Sequence, residues 1–413
     1  MANQYGISKG RIIQGGWETT LGTEVVATEI WRGKGMWEDK KAVTFADEDV
    51  GYIAGIDRTF IPFLLGALGM DGIPATYEQL PHVLACALKN VISGSADGAG
   101  SGKIYTYTAH TLANALNTIK TKTWQVGNNH AVALLPGSFV TDFSLDGKLG
   151  EAWTVQANWS ANQVTLRQKR GTGIAFINAT KKITDTGSGL AQFTTGMMIR
   201  VEGSVSNDGV YTVATGGVAG EIVTTEALVE ETAGATVRVS QTFTGGLSLV
   251  TLEEMLFSKT KLYLDAIGGT IGATQKSGVL LGANLKVNPG WRPRGNGGDG
   301  NLYYTAIRAG MPEATLNVTF EHSGEASAEF ENYTNQTARL LRLKCEGAAL
   351  GTAGTTYTYK TMIADLAGKW ESFEKIGEQD GNDTVTGVFR ARYDGTAAKF
   401  FEMVIVNERA SIT

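Results

Sequence analysis

The side chains able to do chemistry are spread thinly along this chain. Its four histidines, His82, His110, His130 and His322, show neither HxxxH nor HxH spacing, and no cysteine stands at ligand spacing from them. They read as ordinary, partly buried histidines, and no metal is expected. Cys86 and Cys345 lie far apart and outside any CxxC pair, which points to buried, reduced thiols rather than a disulfide framework or a zinc site. The stretch GAGSGKI, residues 98–104, resembles a phosphate loop at first sight. Asp97 stands where that loop needs glycine and Ile104 where Ser or Thr would hold magnesium, so a flexible connector is expected. The acidic groups Asp47-Glu48-Asp49 and Glu378/Asp380/Asp383 do not follow D-x-D-x-D-G, and turn acids of β proteins usually face solvent. No GxSxG and no Cys/His pair nominates a nucleophile, so neither a catalytic residue nor a cofactor site is expected. Tyr105, Tyr107, Tyr357 and Tyr359 suit a carbohydrate platform or packing in a core or subunit interface, and packing is preferred.

The elements that carry these residues are bounded by composition. A chain of 413 residues is long enough for two or three domains, each with its own core. Apolar residues make up 42% and charged residues 19%, with 53 Gly against 7 Pro and recurrent Thr and Val, the composition of many short strands joined by tight turns. A mostly β protein follows. The net charge is −5 and basic residues never gather into a run, which speaks against tight nucleic-acid binding. MANQYGISKGRII lacks a charged head followed by an apolar run, and FIPFLLGALGM is too short and too broken by Gly and Pro to span a bilayer. Synthesis and folding in a cytoplasm are expected, so N-x-S/T triplets such as Asn178-Ala-Thr180 carry no glycosylation meaning.

Three blocks recur in the same order. AVTFADED, around Val43-Thr44-Phe45, pairs with NVTFEHSG, around Val318-Thr319-Phe320. AVALLPGSF pairs with MIADLAGKW, matching Ala133/Ala364, Leu135/Leu366, Gly137/Gly368 and Phe139/Trp370, and both continue through Phe143 or Phe373 into a Gly-containing turn. EAWTVQANW pairs with TVTGVFRARY, ending at Trp159 and Tyr393. Collinear order points to an internal duplication. Alternation places Trp153, Val155, Ala157 and Trp159 on the core side of one strand and Phe389, Ala391 and Tyr393 on the core side of its counterpart. Asp380-Gly381-Asn382 fits a hairpin turn.

The first copy is expected to carry helical text that the second lacks. Val83, Leu84, Ala87, Leu88, Val91 and Ile92 share a helical face; the helix starts either at a Thr76/Gln79 capping box or with Pro81 as first helical residue after Leu80. AHTLANALNTI, with Leu112, Ala113, Leu116 and Ile119 in register, is a second candidate. Residues 169–243 have a different texture, with strand-like runs punctuated by Asn207-Asp208-Gly209, Gly216-Gly217 and Ala233-Gly234, and read as a small all-β domain inserted in a loop. WRPRGNGGDGN, residues 291–301, is expected to be a long mobile loop, and GKGMWEDKK occupies the comparable place in the first copy.

The C-terminal stretch GTTYTYKTMIADLAGKWESFEKIGEQDGNDTVTGVFRARYDGTAAKFFEMVIVNE and the ATYEQLPHVLACAL helix resemble the tail tube proteins of long-tailed phages. The resemblance rests on order and texture and covers roughly the chain outside the insert, which itself is similar to small β modules of phage structural proteins. It implies a mainly β chain of two β-sandwiches with long loops, residues 1–168, which carry a flanking helix, and 244–413, and an insert, 169–243, on the outer surface. It implies a virion tail protein without turnover, assembled into stacked rings around a channel that DNA crosses without specific binding. A trimer with pseudo-sixfold symmetry is favoured and a hexamer is the alternative. Tape-measure, tail-terminator and distal tail proteins are the implied partners. The ring-stacking loop candidates are Gly33, Gly35, Trp37, Lys40, Trp291, Arg292, Arg294 and Asp299, and the channel-lining candidates are Asp47, Glu48 and Asp49. The competing function is a phage decoration or receptor-binding β protein whose insert holds a carbohydrate.

Overall fold

The computed structural model of the chain describes residues 6–111, 116–298, 300–374 and 376–412. It is mainly β, with 49% of residues in strands and 6% in helices. In the first half β1 (Ile12–Trp17), β2 (Glu29–Trp31), β3 (Gly35–Asp39), β4 (Ala42–Phe45), β5 (Thr59–Phe63) and β6 (Gly66–Pro74) lead into helix α1 (Leu80–Ala87). Then come β7 (Ser95–Ala96), β8 (Lys103–Thr108), β9 (Lys122–Gly127), β10 (Val132–Lys148) and β11 (Thr154–Ala161). A separate sheet follows, built from β12 (Gln168–Gly171), β13 (Ile174–Ile177), β14 (Lys182–Asp185), β15 (Met198–Glu202), β16 (Gly209–Thr215), β17 (Glu221–Thr224) and β18 (Val237–Gln241). The second half begins with β19 (Thr260–Ala266), β20 (Gln275–Lys276), β21 (Leu280–Asn288), β22 (Trp291–Arg294), β23 (Ala306–Ala309) and β24 (Glu313–Glu321). Helix α2 (Gly324–Thr334) follows, then β25 (Arg339–Ala349), β26 (Tyr359–Phe373), β27 (Gly377–Gln379), β28 (Asn382–Ala391) and β29 (Phe401–Asn407).

Both halves are wound in the same way. The main ladder runs β3, β6, β11, β10 from the first half and then β21, β24, β28, β26 from the second. Each half also builds a second sheet, β2–β1–β9–β10 and β20–β19–β25–β26, so the long strands β10 and β26 each serve two sheets. A bulge falls at the same place in each, between Val140 and Asp142 against β11 and between Trp370 and Ser372 against β28. The two sandwiches share one apolar core, because the first half ends its ladder directly on the second. At that junction Phe143 faces Val287 and Leu145 faces Leu285, all four buried. The second half adds β29 alongside β26, and the first half's β8 pairs with β29.

Several expectations change in register or in place. Val43-Thr44-Phe45 lies in β4, an exposed hairpin strand paired with β5, whereas Val318-Thr319-Phe320 lies in β24, whose counterpart is β6. The two VTF runs are therefore not equivalent. Trp159 corresponds to Phe389, since they face Leu68 and Leu316, and Tyr393 lies beyond the end of its strand and is exposed. Val140, not Phe139, matches Trp370: the chain makes an extra step at Pro136-Gly137, where Gly137 has φ 68° and a Cβ would meet Asn162 Oδ1 at 2.1 Å. The second half does carry a helix, α2, at the place of α1. Its sequence hid it, because only Ala326 and Glu329 of the helix are buried and no apolar stripe forms.

Helix α1 begins at Leu80 with Pro81 in its first turn, the second of the two expected starts; the Gln79 amide donates to Thr76 Oγ1 at 3.2 Å in the turn before it, but Gln79 caps the helix without a side-chain bond. Val91 and Ile92, expected on its face, lie beyond its end. In the second helical candidate Leu112 and Ala113 lie outside the described residues, while Leu116 and Ile119 are not helical. Residues 33–41 are not a loop, for Gly35–Asp39 forms β3 of the main ladder, and Trp291–Arg294 pairs as β22 with β23. Asp380 (φ 52°) and Gly381 (φ 81°) form the tight β27–β28 turn.

The sheet from β12 to β18 has its own core, including Phe176, Ile183, Phe193, Ile199, Val213 and Val239. Its first and last strands pair, Gln168 opposite Ser240, so its ends lie side by side. It is tied to the first half by Arg167 Nη2 to Glu24 Oε2 at 2.6 Å and by Arg238 Nη2 donating to the His130 carbonyl at 3.0 Å.

Candidate functional site: the polar face and the open edges

The main ladder has one face in the core and one in solvent, as period-2 alternation dictates. On the solvent side stand Asp142, Ser144 and Asp146 of β10, Gln156 and Asn158 of β11, Asn284 and Lys286 of β21, and Glu313, Thr315 and Asn317 of β24. The face crosses the junction of the halves without interruption. Asn158 Nδ2 donates to Asp142 at 2.7 Å and Asn284 Nδ2 to Asp146 at 2.9 Å, which holds these acids as a cross-strand row. Arg390 of β28 is held by Glu371 at 2.6 Å and Glu313 at 3.8 Å.

Apart from the β4–β5 and β22–β23 hairpins, which are sheets of their own, the strands of both halves belong to one hydrogen-bonded network. Followed pair by pair, its main ladder nevertheless ends at β3 on one side and at β26 on the other, and among the described residues no pairing joins these two ends. Beyond the bulge β26 pairs only with β28, and β27 continues that hairpin fully exposed. The equivalent side of β10 is occupied by β21. An unpaired backbone row of this kind is a template for another strand.

The residues singled out from sequence fall in different places. Gly35 and Trp37 lie in β3 itself, Gly33 just before it, and Lys40 just after it, 3.4 Å from Glu38. Trp291 is buried, its Nε1 donating to the Ala87 carbonyl at 2.6 Å and its ring 4.9 Å from His110. Arg292 and Arg294 are exposed on β22. Asp299 lies outside the described residues. Asp47, Glu48 and Asp49 sit in the connection between β4 and β5, where Glu48 pairs with Arg58, and not on the polar face. Around them the hairpin exposes Phe45, Tyr52, Ile53 and Phe60. Tyr105 and Tyr107 are buried, their hydroxyls donating to the carbonyls of Arg409 at 2.7 Å and Val91 at 2.9 Å. The connector at residues 98–104 is held by Asp97, whose carboxylate accepts the amides of Thr356 and Tyr357 at 2.8 and 2.7 Å.

One polar cluster has no signal in the sequence. Lys122 of β9 is fully buried, bonded to Glu29 of β2, with its Nζ 4.1 Å from the centre of the Trp17 ring and 4.7 Å from that of Trp124. His82 Nδ1 stands 2.9 Å from Glu29 Oε1, and Arg409 Nη1 3.5 Å from His82 Nε2. Burial pushes His82 down to about 4, so its imidazole is neutral, with Nδ1–H donating to Glu29 Oε1. Burial works to raise Glu29, but the Lys122 charge, the hydrogen bonds from His82 and Lys122 and, once it is protonated in acid, the His82 charge outweigh it and hold the carboxyl at about 2. Glu18 is likewise enclosed, accepting from the Thr121 and Thr123 hydroxyls at 2.8 and 2.7 Å and from the Gly22 and Gly137 amides at 2.9 and 2.7 Å. These carboxylates are engaged in holding β1, β2, β9 and the kink of β10 together. Cys86 and Cys345 are free, buried thiols, both raised by burial.

Among the described residues no group of three or more His, Cys, Asp or Glu stands together as a metal would need, and no helix is long and apolar enough to cross a membrane. Neither a scan against protein-family models nor a search of curated proteins found a match.

Proposed function

We propose that this chain is the wall subunit of a phage tail tube, three copies closing a ring in which each supplies two of six equivalent segments. The observation that carries this reading is the junction of β10 with β21, together with the matching edges, β26 and β3, that remain free. A unit that already joins copy to copy through one edge pair, and presents the same pair again at its ends, closes by repeating the join. Three eight-strand ladders at a spacing of ~4.8 Å give a circumference of about 115 Å and a backbone-to-backbone diameter of about 37 Å, larger with strand tilt. That accommodates a DNA duplex. Six copies double the diameter, which favours three.

The polar face then lines the passage. Amides, hydroxyls and acids outnumber its cations Lys286, Lys369 and Arg390, the last of these is paired with Glu371 and Glu313, and the chain carries a net charge of −5, so DNA passes without being gripped through its phosphates. The far end of the β4–β5 hairpin, with exposed Tyr52 and Ile53, is the proposed contact to the next ring in the stack. The setting is the virion tail, with tape-measure, tail-terminator and distal tail proteins as partners.

Negative-stain microscopy and native mass measurement test this reading. Rings or tubes of trimeric rings are expected. A hexameric ring removes the pseudo-sixfold arrangement while leaving the tube. Compact monomers or spiked trimers overturn it in favour of a decoration or receptor-binding protein.

A further inference from the structure

Inside the chain the junction of the halves involves more than paired strands. The β22–β23 hairpin continues from β21 and lands on the first half, where Trp291 caps the end of α1 through the Ala87 carbonyl. Close by, Tyr304 donates to the Gly137 carbonyl at 2.8 Å and meets the Phe139 ring edge-on at 5.9 Å. Every residue of α1 is buried. The second half has the same parts without the cover. Helix α2 stands to β26 as α1 stands to β10, yet on it Phe330 is 51% exposed, beside Tyr333 and Phe373. The hairpin that occupies the place of β22–β23 in the first half is β4–β5, and Val43, Phe45, Phe60 and Phe63 on it are exposed.

We infer that the base of the β4–β5 hairpin of one copy covers α2 of the next, repeating between chains the contact that β22–β23 makes within one. The inference rests on the ring reading and specifies the lateral partner as a second copy of this chain. The register follows from the internal junction. Phe143 and Phe373 are both the second paired residue after the shared bulge, facing Ala157 and Gly387. Val287 and Asp39 both lie two residues past the strand positions, Leu285 and Trp37, that face Leu316 and Leu68. Since Phe143 faces Val287, Phe373 of one copy faces Asp39 of the next. The apolar side chains of the hairpin base and those of α2 are then buried against each other rather than against water.

A paired-cysteine variant, Phe373→Cys with Asp39→Cys, tests the register, with Phe373→Cys and Gly35→Cys as the off-register control. In assembled rings under mild oxidation the first variant is expected to convert monomer into a covalent trimer on a non-reducing gel and the control to stay monomeric. Hydrogen exchange of unaltered protein is the second measurement, and slowed exchange in α2 on going from free chains to rings is expected. Rings that form without the cross-link, or with α2 exchanging as in free chains, overturn the inference and leave the ring reading intact. Failure of the unaltered protein to form any ring removes both.

Discussion

His82 Nδ1 and Glu29 Oε1 meet at 2.9 Å in a core where the neighbouring Lys122 has no exposed surface. The imidazole is neutral there and the carboxylate charged, which ties folding to pH through two groups of opposite kind.

The folded-state value of His82 is lowered from 6.5 to about 4, so between these limits the unfolded chain binds the extra proton and the folded chain does not. Stability therefore falls as pH drops through this window, by on the order of 3 kcal/mol if the whole shift is expressed. Glu29, lowered from 4.5 to about 2, adds a further loss below the first. Denaturant melts at pH 7, 5.5 and 4 should show the decline, and His82→Gln should flatten its upper part. An unchanged slope in that variant contradicts the assignment.

Removing the separate sheet tests whether it is an appendage. Thr165 pairs with Leu134, and Thr244 bonds to Gln125, the residue facing Leu134 across β9 and β10, so the chain leaves and returns at one place. Joining Leu166 to Thr244 through a short Gly/Ser linker should keep a cooperative melt, with a closure difference of about 1 kcal/mol or less. Assembly should survive. A chain that is made but unfolded, or folded but never ring-forming, shows that this segment belongs to the core or the interface.

Binding to duplex DNA gives an independent measure of the polar face. Assembled protein titrated with DNA at physiological salt should show weak binding with a shallow salt dependence, because few cations are free to displace counterions. Submicromolar affinity that weakens steeply with salt contradicts a low-friction passage.

Strand periodicity is legible in the amino-acid sequence. The alternation from Trp153 to Trp159, the Asp380-Gly381 turn and the strand-rich texture after residue 168 all recur in the fold. Short identities and bulges are where sequence and fold part. Val43-Thr44-Phe45 resembles Val318-Thr319-Phe320 by composition alone, and an extra residue near Gly137 moves Phe139 off the position of Trp370. Helix α2 escaped because its buried positions are an alanine and a glutamate, the latter held by Arg339 and the Trp370 indole. The meeting of Glu29, His82 and Lys122 depends on long-range pairing that spacing along the chain does not encode.

The junction of β10 with β21 lies within one polypeptide, so its two sides are never more than a tether apart. In a ring of three chains half of the seams form at this high effective concentration, and only the other half await collision between molecules. Closure is then a third-order problem in subunits instead of a sixth-order one, and dilution penalises it correspondingly less.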